Sequence, residues 1–272
     1  IFGILSHLSR AYRWQFLLEP LGYKPRFANS VMSVLIAYLL NLVIPRSGEF
    51  ARAASVKKYE NIPFEKAFGT IVAERVADVI ILLAIIGMAF FYQTELIGSY
   101  IFKEDASSSI YSKIFVFVVL PLVGFFTYRF LKRSRNVFIV KVITFINCLI
   151  DGVKSIFTMK KKWEFIAHTI FIWAMYILMF YAVTFALPET TNLSFAAIIV
   201  GFVVGGLSMA LTNGGLGTYP LLVAGALVLY KIDHNPALAF GWIMWTAQTL
   251  MVILFGSLSL ILIPIYNKYQ KK

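Results

Sequence analysis

The feature that most constrains this chain is the length of its uncharged stretches: residues 190–230 contain no Asp, Glu, Lys or Arg. About 20 apolar residues of helix are enough to cross the hydrocarbon core of a bilayer. Hydrophobic residues make up 60% of the chain and charged residues 14%, against about 45–50% and 25% in soluble domains. A soluble fold could not bury this much apolar surface, so the sequence predicts an all-α, polytopic integral membrane protein.

Successive apolar runs divide the chain into predicted helices. They are 1–19, 27–44, a polar helix at 49–60, a long helix at 63–92, 111–131, an interfacial helix at 134–159, 164–186, 194–211, 216–230 and 237–264. Arg10, Arg13 and Trp14 are expected to form the polar edge of the first span, and Asn61 to cap the long helix. We treat 1–272 as one transmembrane domain. A preceding N-terminal span is expected, because the chain begins partway along a helical pattern.

The charged loops predict the orientation. Segment 129–162 is strongly basic apart from Asp151, whereas 93–109 is mainly acidic. Lys and Arg collect on the cytoplasmic side of membrane proteins. Segment 129–162 and the basic C-terminus should therefore be cytoplasmic and 93–109 outside, in the cell inner (plasma) membrane. The net charge of +12 is then explained by basic residues that face the membrane surface. We expect anionic lipids as partners and no binding of nucleic acid.

Two of the apolar segments are interrupted by turn-forming residues. The first break, Pro45–Glu49, separates 27–44 from 49–60, and the second, Asn213–Thr218, divides 190–230. Interrupted segments in both halves of a chain indicate inverted repeats around a site near the bilayer midplane. The halves would be about 1–131 and 134–272. Each would contain a broken or re-entrant helix pair, and the two breaks would meet near the bilayer centre from opposite faces.

A charged cluster within the long helix is the sharpest candidate for a site. Glu74 and Asp78 are four residues apart and share one helix face with Arg75 nearby. A charge at membrane depth costs about 2.5–3.5 kcal/mol on insertion scales. The cluster is therefore expected to face a water-accessible cavity, with Arg46 or Arg52 as its complement. The alternative is a structural network of ion pairs that holds helices together.

The two breaks supply the other candidate residues. Arg46 and Glu49 flank the first break, where free amides at a helix N-terminus could hold an anionic headgroup; the alternative is an ordinary loop. At the second break, Asn213, Gly214, Gly215 and Gly217 would expose backbone amides, or else allow close helix packing. Gln248 in the last span needs a polar partner.

Enzymatic chemistry is not predicted. The chain has one cysteine and three histidines, and it has no nucleophile–base pair and no metal-ligand spacing. We therefore expect no cofactor and no catalytic activity.

The chain resembles a known family, the flippase-like transmembrane domain of lysylphosphatidylglycerol synthase in its stand-alone form. The resemblance runs through the motifs Arg13-Trp14, Leu21-Gly22, Asn41–Glu49 with Arg52, Glu74-Arg75 with Asp78, and Gly214–Tyr219. It implies a lipid translocator that moves an anionic, aminoacylated or glycosylated headgroup through a central polar cavity. The chain departs from the family pattern at Asn213, Pro220 and Trp245–Gln248, which bears on headgroup specificity.

Residues and resemblance together define the expected binding site. Its members are Arg46, Glu49, Arg52, Glu74, Arg75, Asp78, Asn213, Gly214, Gly215, Gly217, Tyr219 and Gln248. The alternatives are an ion or small-solute transporter, since Glu74 and Asp78 could bind a cation, and a non-transporting anchor for a lipid-modifying enzyme. A homo-oligomer or a partner enzyme of that kind would be compatible with each of these functions.

Overall fold

The computed structural model describes residues 1–92, 140, 143, 159–212 and 214–270. Within these ranges all regular structure is helical, which confirms the predicted all-α class. The helices are α1 (Phe2–Leu18), α2 (Phe27–Val43), α3 (Ser47–Glu60), α4 (Phe64–Tyr92), α5 (Lys162–Val183), α6 (Phe195–Leu211), α7 (Thr218–Val228) and α8 (His234–Gln270). Short 3-10 helices lie at Glu19–Leu21, Thr184–Ala186 and Pro188–Thr190.

The chain forms two compact units, one made of Ile1–Ile81 with Met159–Lys272 and the other of Leu82–Thr158. The first unit holds the structural features discussed below. The predicted span 111–131, the interfacial helix 134–159 and the charged loops that set the orientation lie in the second unit and largely outside the described residues. The orientation therefore stays a prediction.

Two of the described helical segments are long and apolar enough to cross a bilayer, judged by length and composition: Lys162–Ala186 and His234–Gln270. Helices α2, α6 and α7 are apolar but shorter. For the helices that the structure describes, the predicted bounds agree to within three residues, except that the last helix continues to Gln270, six residues beyond the predicted end. Asn61 is an exception, since it ends α3 in the left-handed conformation, with φ of 56°, and does not cap α4. Asparagine tolerates this conformation better than most residues do.

Helices α2 and α3 form an antiparallel hairpin around the first break. Arg46 turns the chain with φ of 63°. The Gly48 amide then donates to Asn41 Oδ1 at 2.8 Å, so the side chain of one helix caps the start of the other. At the far end of the hairpin, Asn29 donates a hydrogen bond to Glu60. Contacts at both ends fix the register of the pair.

Helices α6 and α7 form a second hairpin around the second break. Gly214, Gly215 and Gly217 adopt φ of 65°, 72° and 73°, which other residues adopt only with strain. The hydroxyl of Thr218 bonds to Ser208 Oγ and Thr212 Oγ1, both at 3.0 Å. These bonds tie the start of α7 to the end of α6.

The two breaks lie close to each other. A β-carbon placed on Gly214 would lie 3.1 Å from Leu42 Cδ2 in the last turn of α2. From α8, Trp245 Nε1 donates to the Gly214 carbonyl at 2.8 Å. The second break is therefore held between α2 and α8. Its depth in a bilayer and the inverted symmetry of the halves stay predictions.

Gly48 gives a direct test of how closely α2 and α3 pack. A β-carbon at Gly48 would lie 2.1 Å from the carbonyl oxygen of Ala37, and backbone cannot yield as a flexible side chain can. We expect Gly48→Ala to destabilise the protein by at least the ~1–3 kcal/mol typical of overpacking. The measurement is thermal unfolding of the purified protein in detergent.

Gly69→Ala in α4 is the matched control, because a β-carbon at Gly69 would meet nothing within 4 Å. This variant should unfold at or slightly above the wild-type temperature, since alanine favours helix over glycine. Equal unfolding temperatures for the two variants would show that the α2–α3 contact is looser than the structure has it.

Candidate functional site

The site begins on one face of α1, where Arg10, Arg13 and Trp14 lie within a helical turn of each other. Their exposed fractions are 2%, 0% and 0%. The prediction that they form the polar edge of a span is therefore wrong. They are buried inside the protein because acidic side chains on α4 neutralise the two guanidinium groups there.

Glu74 and Asp78 are the acidic partners. Arg10 Nη1 lies 2.8 Å from Glu74 Oε1 and 2.6 Å from Asp78 Oδ2. Arg13 contacts the same two carboxylates, each at 3.0 Å. From α3, Arg52 Nη2 reaches Glu74 Oε2, also at 3.0 Å. Both carboxylates, four residues apart on α4, are thus bridged by the same two arginines, an arrangement that fixes α1 against α4.

Further contacts orient the guanidinium groups. Arg52 lies over the indole of Trp14, 3.9 Å from the ring centroid, a cation–π arrangement. Arg13 Nη1 donates to Thr169 Oγ1 at 2.9 Å, and Arg10 Nη2 donates to the Tyr176 hydroxyl at 3.3 Å. Thr169 and Tyr176 lie on α5. The network therefore joins α1, α3, α4 and α5.

The burial of Glu74 and Asp78 decides whether they face a water-accessible cavity or form a structural network of ion pairs. Glu74 is 1% exposed and Asp78 8%, and arginines occupy the carboxylate oxygens of both. They face protein partners and do not line the cleft described below, so the predicted cavity-facing position is wrong for these two residues. Of the proposed complements, Arg52 pairs with Glu74, whereas Arg46 is exposed at the turn between α2 and α3.

Arg75 does face a cleft. Its side chain is 40% exposed, and its Nη2 lies 2.9 Å from Oε1 of Glu49, which is 22% exposed. The polar residues that line the cleft are Tyr38, Asn41, Glu49, Arg52 and Arg75. The space open to water in it is about 10 Å³, which is room for about one molecule. Arg75 and Glu49 thus form a partly exposed ion pair that borders the buried network.

The charges of this cluster do not cancel. It contains four guanidinium groups (Arg10, Arg13, Arg52 and Arg75) and three carboxylates (Glu49, Glu74 and Asp78). We call these seven residues the arginine cluster. Counted over the described residues, one positive charge remains in excess, and Arg75 is the one arginine of these four with substantial exposure. A cluster of this composition favours an anion over a cation, because its unmatched positive charge attracts negative charge.

The residues of the second break form a separate group. Tyr219 is 4% exposed and packs in the apolar core with Phe240 and Met244. Gln248 makes one weak contact, 3.5 Å to Met209 Sδ. Asn213 lies outside the described residues. Across the described ranges, no hydrogen bond or ion pair links Gly214, Gly215, Gly217, Tyr219 or Gln248 to the arginine cluster.

Arg10 and Arg13 are the residues that sequence reasoning missed. They are three apart in an otherwise apolar helix, and Ser6 and Ser9 lie on the same buried face. This polar stripe, set beside the four-residue spacing of Glu74 and Asp78, was a detectable signal. What it could not give is the pairing, because the two helices meet only in the folded protein.

The first comparison with known proteins concerns the family. Residues 1–256 match the family described as the lysylphosphatidylglycerol synthase TM region. The chain belongs to this family. The predicted resemblance is confirmed, and membership of a family of transmembrane regions supports a membrane location.

Two curated relatives match parts of the chain. The UPF0104 membrane protein MJ1595 of Methanocaldococcus jannaschii is 38% identical over 86 residues, which is 30% of this chain and 26% of that protein. The glycosyltransferase AglD of Haloferax volcanii is 34% identical over 90 residues, 33% of this chain and 14% of that protein. The matched stretches thus span about a quarter or less of each relative. No solved structure matches the chain.

The buried ion pairs of the arginine cluster lead to a prediction about the stability of the protein. Glu74→Gln would leave Arg10, Arg13 and Arg52 buried around a neutral amide. Removing one partner of a buried ion pair typically costs about 3–5 kcal/mol, so the unfolding temperature in detergent should fall sharply.

The control is Glu65→Gln, an exposed carboxylate in the first turn of α4, which should leave stability nearly unchanged. Removing Arg52 and Glu74 together should cost less than the sum of the two single changes, since the two groups are in contact. Additive losses in that double-mutant cycle would contradict the pairing.

Proposed function

We propose that this protein is a lipid translocase, which moves lipids with an anionic headgroup between the leaflets of the plasma membrane, and that the headgroup is held at Arg75. The observation that carries this proposal is the partly exposed Arg75 at the edge of a buried cluster with one positive charge in excess. A phosphate is the anionic group common to membrane phospholipids, and a planar guanidinium can bind it through two parallel hydrogen bonds.

Glu49 occupies the position that a phosphate would take. Its carboxylate pairs with the Arg75 guanidinium at 2.9 Å, and both side chains are accessible from the cleft. An incoming phosphate would replace this carboxylate and release Glu49 towards solvent. The exchange replaces one anion by another, so Arg75 stays paired while the headgroup enters and leaves. The cost of desolvating an unpaired arginine is thereby avoided.

The first break supplies the path for the headgroup. Asn41 and Glu49 lie on either side of the turn between α2 and α3, and both line the cleft. Non-helical backbone at membrane depth is tolerated where it is covered by protein or lines a water-filled cavity. The contact between Leu42 and Gly214 brings the second break to the same region. The acyl chains would remain in the bilayer while the polar headgroup passes along the turn between α2 and α3 and the second break beside it.

The comparisons support a lipid-related function. The family takes its name from a synthase of lysylphosphatidylglycerol, a phospholipid whose phosphate-containing headgroup carries an added lysine, and one relative is named a glycosyltransferase. Both names describe enzymes, and in our proposal the enzymatic step belongs to a partner protein or domain. The transmembrane region described here would move the lipid.

A cation transporter is less well supported. Glu74 and Asp78, the carboxylates that could bind a cation, are already contacted by three arginines at 2.6–3.0 Å. A cation would have to displace guanidinium groups that are themselves buried. The excess positive charge of the cluster opposes cation entry as well.

Reconstituted protein tests the proposal. Wild-type protein in liposomes should move fluorescent phosphatidylglycerol between leaflets, measured by reduction of the dye in the outer leaflet. Arg75→Gln should slow this about tenfold to a hundredfold, the loss expected for a hydrogen bond to a charged group. Arg75→Lys should retain part of the rate, because lysine keeps the positive charge but cannot donate the two parallel hydrogen bonds of a guanidinium.

Lys66→Gln is the control, since Lys66 is an exposed cation on the same helix and lies outside the cluster. Glu49→Gln should bind the headgroup more tightly, because the competing carboxylate is gone. No movement of lipid by the folded wild-type protein would favour the membrane anchor. Ion flux without lipid movement would favour the transporter.

A further inference from the structure

A second lipid contact is indicated at the outer surface of α1, among residues that do not belong to the arginine cluster. Four aromatic side chains, Tyr12, Phe16, Phe27 and His168, lie together where α1, α2 and α5 approach each other; we call this the aromatic groove. The ring of Tyr12 lies 5.3 Å from Phe16, 6.0 Å from Phe27 and 5.1 Å from His168. Tyr12 and Phe27 are 45% and 44% exposed, so the groove is open on its outer side.

A basic group closes one end of the groove. Lys161 Nζ lies 5.8 Å from the Phe16 ring centroid and bonds both oxygens of Glu19, at 3.0 and 2.7 Å. The hydrogen bond from Lys161 lowers the pKa of Glu19, and Lys24 and Lys160 lower it further because they lie near the same carboxylate. Lys161 thus contacts the Glu19 carboxylate, and two more lysines lie close to this pair along the chain: Lys160 precedes Lys161, and Lys24 follows Glu19 by five residues.

Lys24 and Lys160 are the free cations of this group. Both are exposed, and neither has an ion-pair partner among the residues that the structure describes. Exposed tyrosine and aromatic rings with lysines just beyond them are typical of the membrane–water interface. Lys24 and Lys160 lie in the segments next to three helix ends, Leu18 of α1, Phe27 of α2 and Lys162 of α5, where we expect the headgroups of a bilayer.

We propose that an anionic phospholipid docks in the aromatic groove, with its phosphate held by Lys24 and Lys160 and its glycerol and upper acyl chains against Tyr12 and Phe27. Charge complementarity selects the occupant. Each basic residue near a membrane surface contributes about 1 kcal/mol of attraction to anionic lipid, and a zwitterionic lipid gains little from the same lysines. This site does not depend on the translocation proposal, because it shares no residue with the arginine cluster.

Lipid titration tests the site. The protein is studied with Arg75→Gln as background, so that binding at the proposed translocation site does not contribute. Phosphatidylglycerol and phosphatidylcholine with identical acyl chains are compared by native mass spectrometry in detergent. Lys24→Gln and Lys160→Gln should each weaken phosphatidylglycerol binding about fivefold, and leave phosphatidylcholine unchanged. Lys57→Gln with Lys58→Gln, exposed on α3, should change neither.

Two further variants separate a lipid site from a structural contact. Glu19→Gln removes the competing carboxylate and should tighten phosphatidylglycerol binding, whereas a purely structural Glu19–Lys161 pair would give no gain. Tyr12→Ala should weaken the binding of phosphatidylglycerol and of phosphatidylcholine to a similar extent. Unchanged preference for phosphatidylglycerol in a variant that combines Lys24→Gln with Lys160→Gln would overturn the proposal. So would a change of oligomeric mass in that variant without a change in lipid binding, which would make the groove a protein interface.

Discussion

The pairing of Glu74 and Asp78 with Arg10, Arg13 and Arg52 is the interaction on which the rest of the structure depends. Each of these charges alone would be costly inside a membrane protein, yet all five are at most 8% exposed. They are stable there because every carboxylate oxygen lies within 3.0 Å of a guanidinium nitrogen. The cost of burial is offset only when α1, α3 and α4 are all in place, so the network selects one arrangement of these helices.

That arrangement also determines where an exposed charge is left. Arg75 follows Glu74 directly on α4. Its Nη1 lies 3.6 Å from Asp78 Oδ2 at the edge of the buried pairs, and its Nη2 reaches Glu49 of the α2–α3 hairpin. The hairpin places Glu49 opposite it, because Gly48 allows α3 to start in contact with Ala37 and the Asn41 side chain caps the Gly48 amide. The rigid network and the tight turn together hold a charged pair at a partly accessible position. A site for a ligand needs this combination of fixed geometry and access.

Sequence reasoning predicted the elements well and the pairings poorly, for a physical reason. Helix bounds and the two breaks follow from local properties: apolar length, proline and glycine. The face of α4 that carries Glu74 and Asp78 follows from helical periodicity. The partners do not, because nothing local distinguishes an arginine at a membrane edge from one buried between helices. Local properties therefore assign Arg10 and Arg13 to an edge, and they do not distinguish Arg46 from Arg52 as a partner for Glu74, although the fold brings Arg52 within 3.0 Å of that carboxylate.

The composition of the arginine cluster bears on the kind of ligand that it favours. A network with equal numbers of acids and arginines would be complete, and its only role would be to hold helices together. With four arginines and three carboxylates, one positive charge of the cluster stays unmatched and attracts an anion, and Glu49 would be the carboxylate that is exchanged most readily because it is the most exposed of the three. Structural and binding roles are therefore divided between neighbours: Glu74 and Asp78 neutralise the buried arginines, and Glu49 and Arg75 remain available for exchange. Under the proposed function, the two carboxylates that the sequence singles out as a binding site, Glu74 and Asp78, hold the helices together, and the adjacent Arg75 would be the group that meets the ligand.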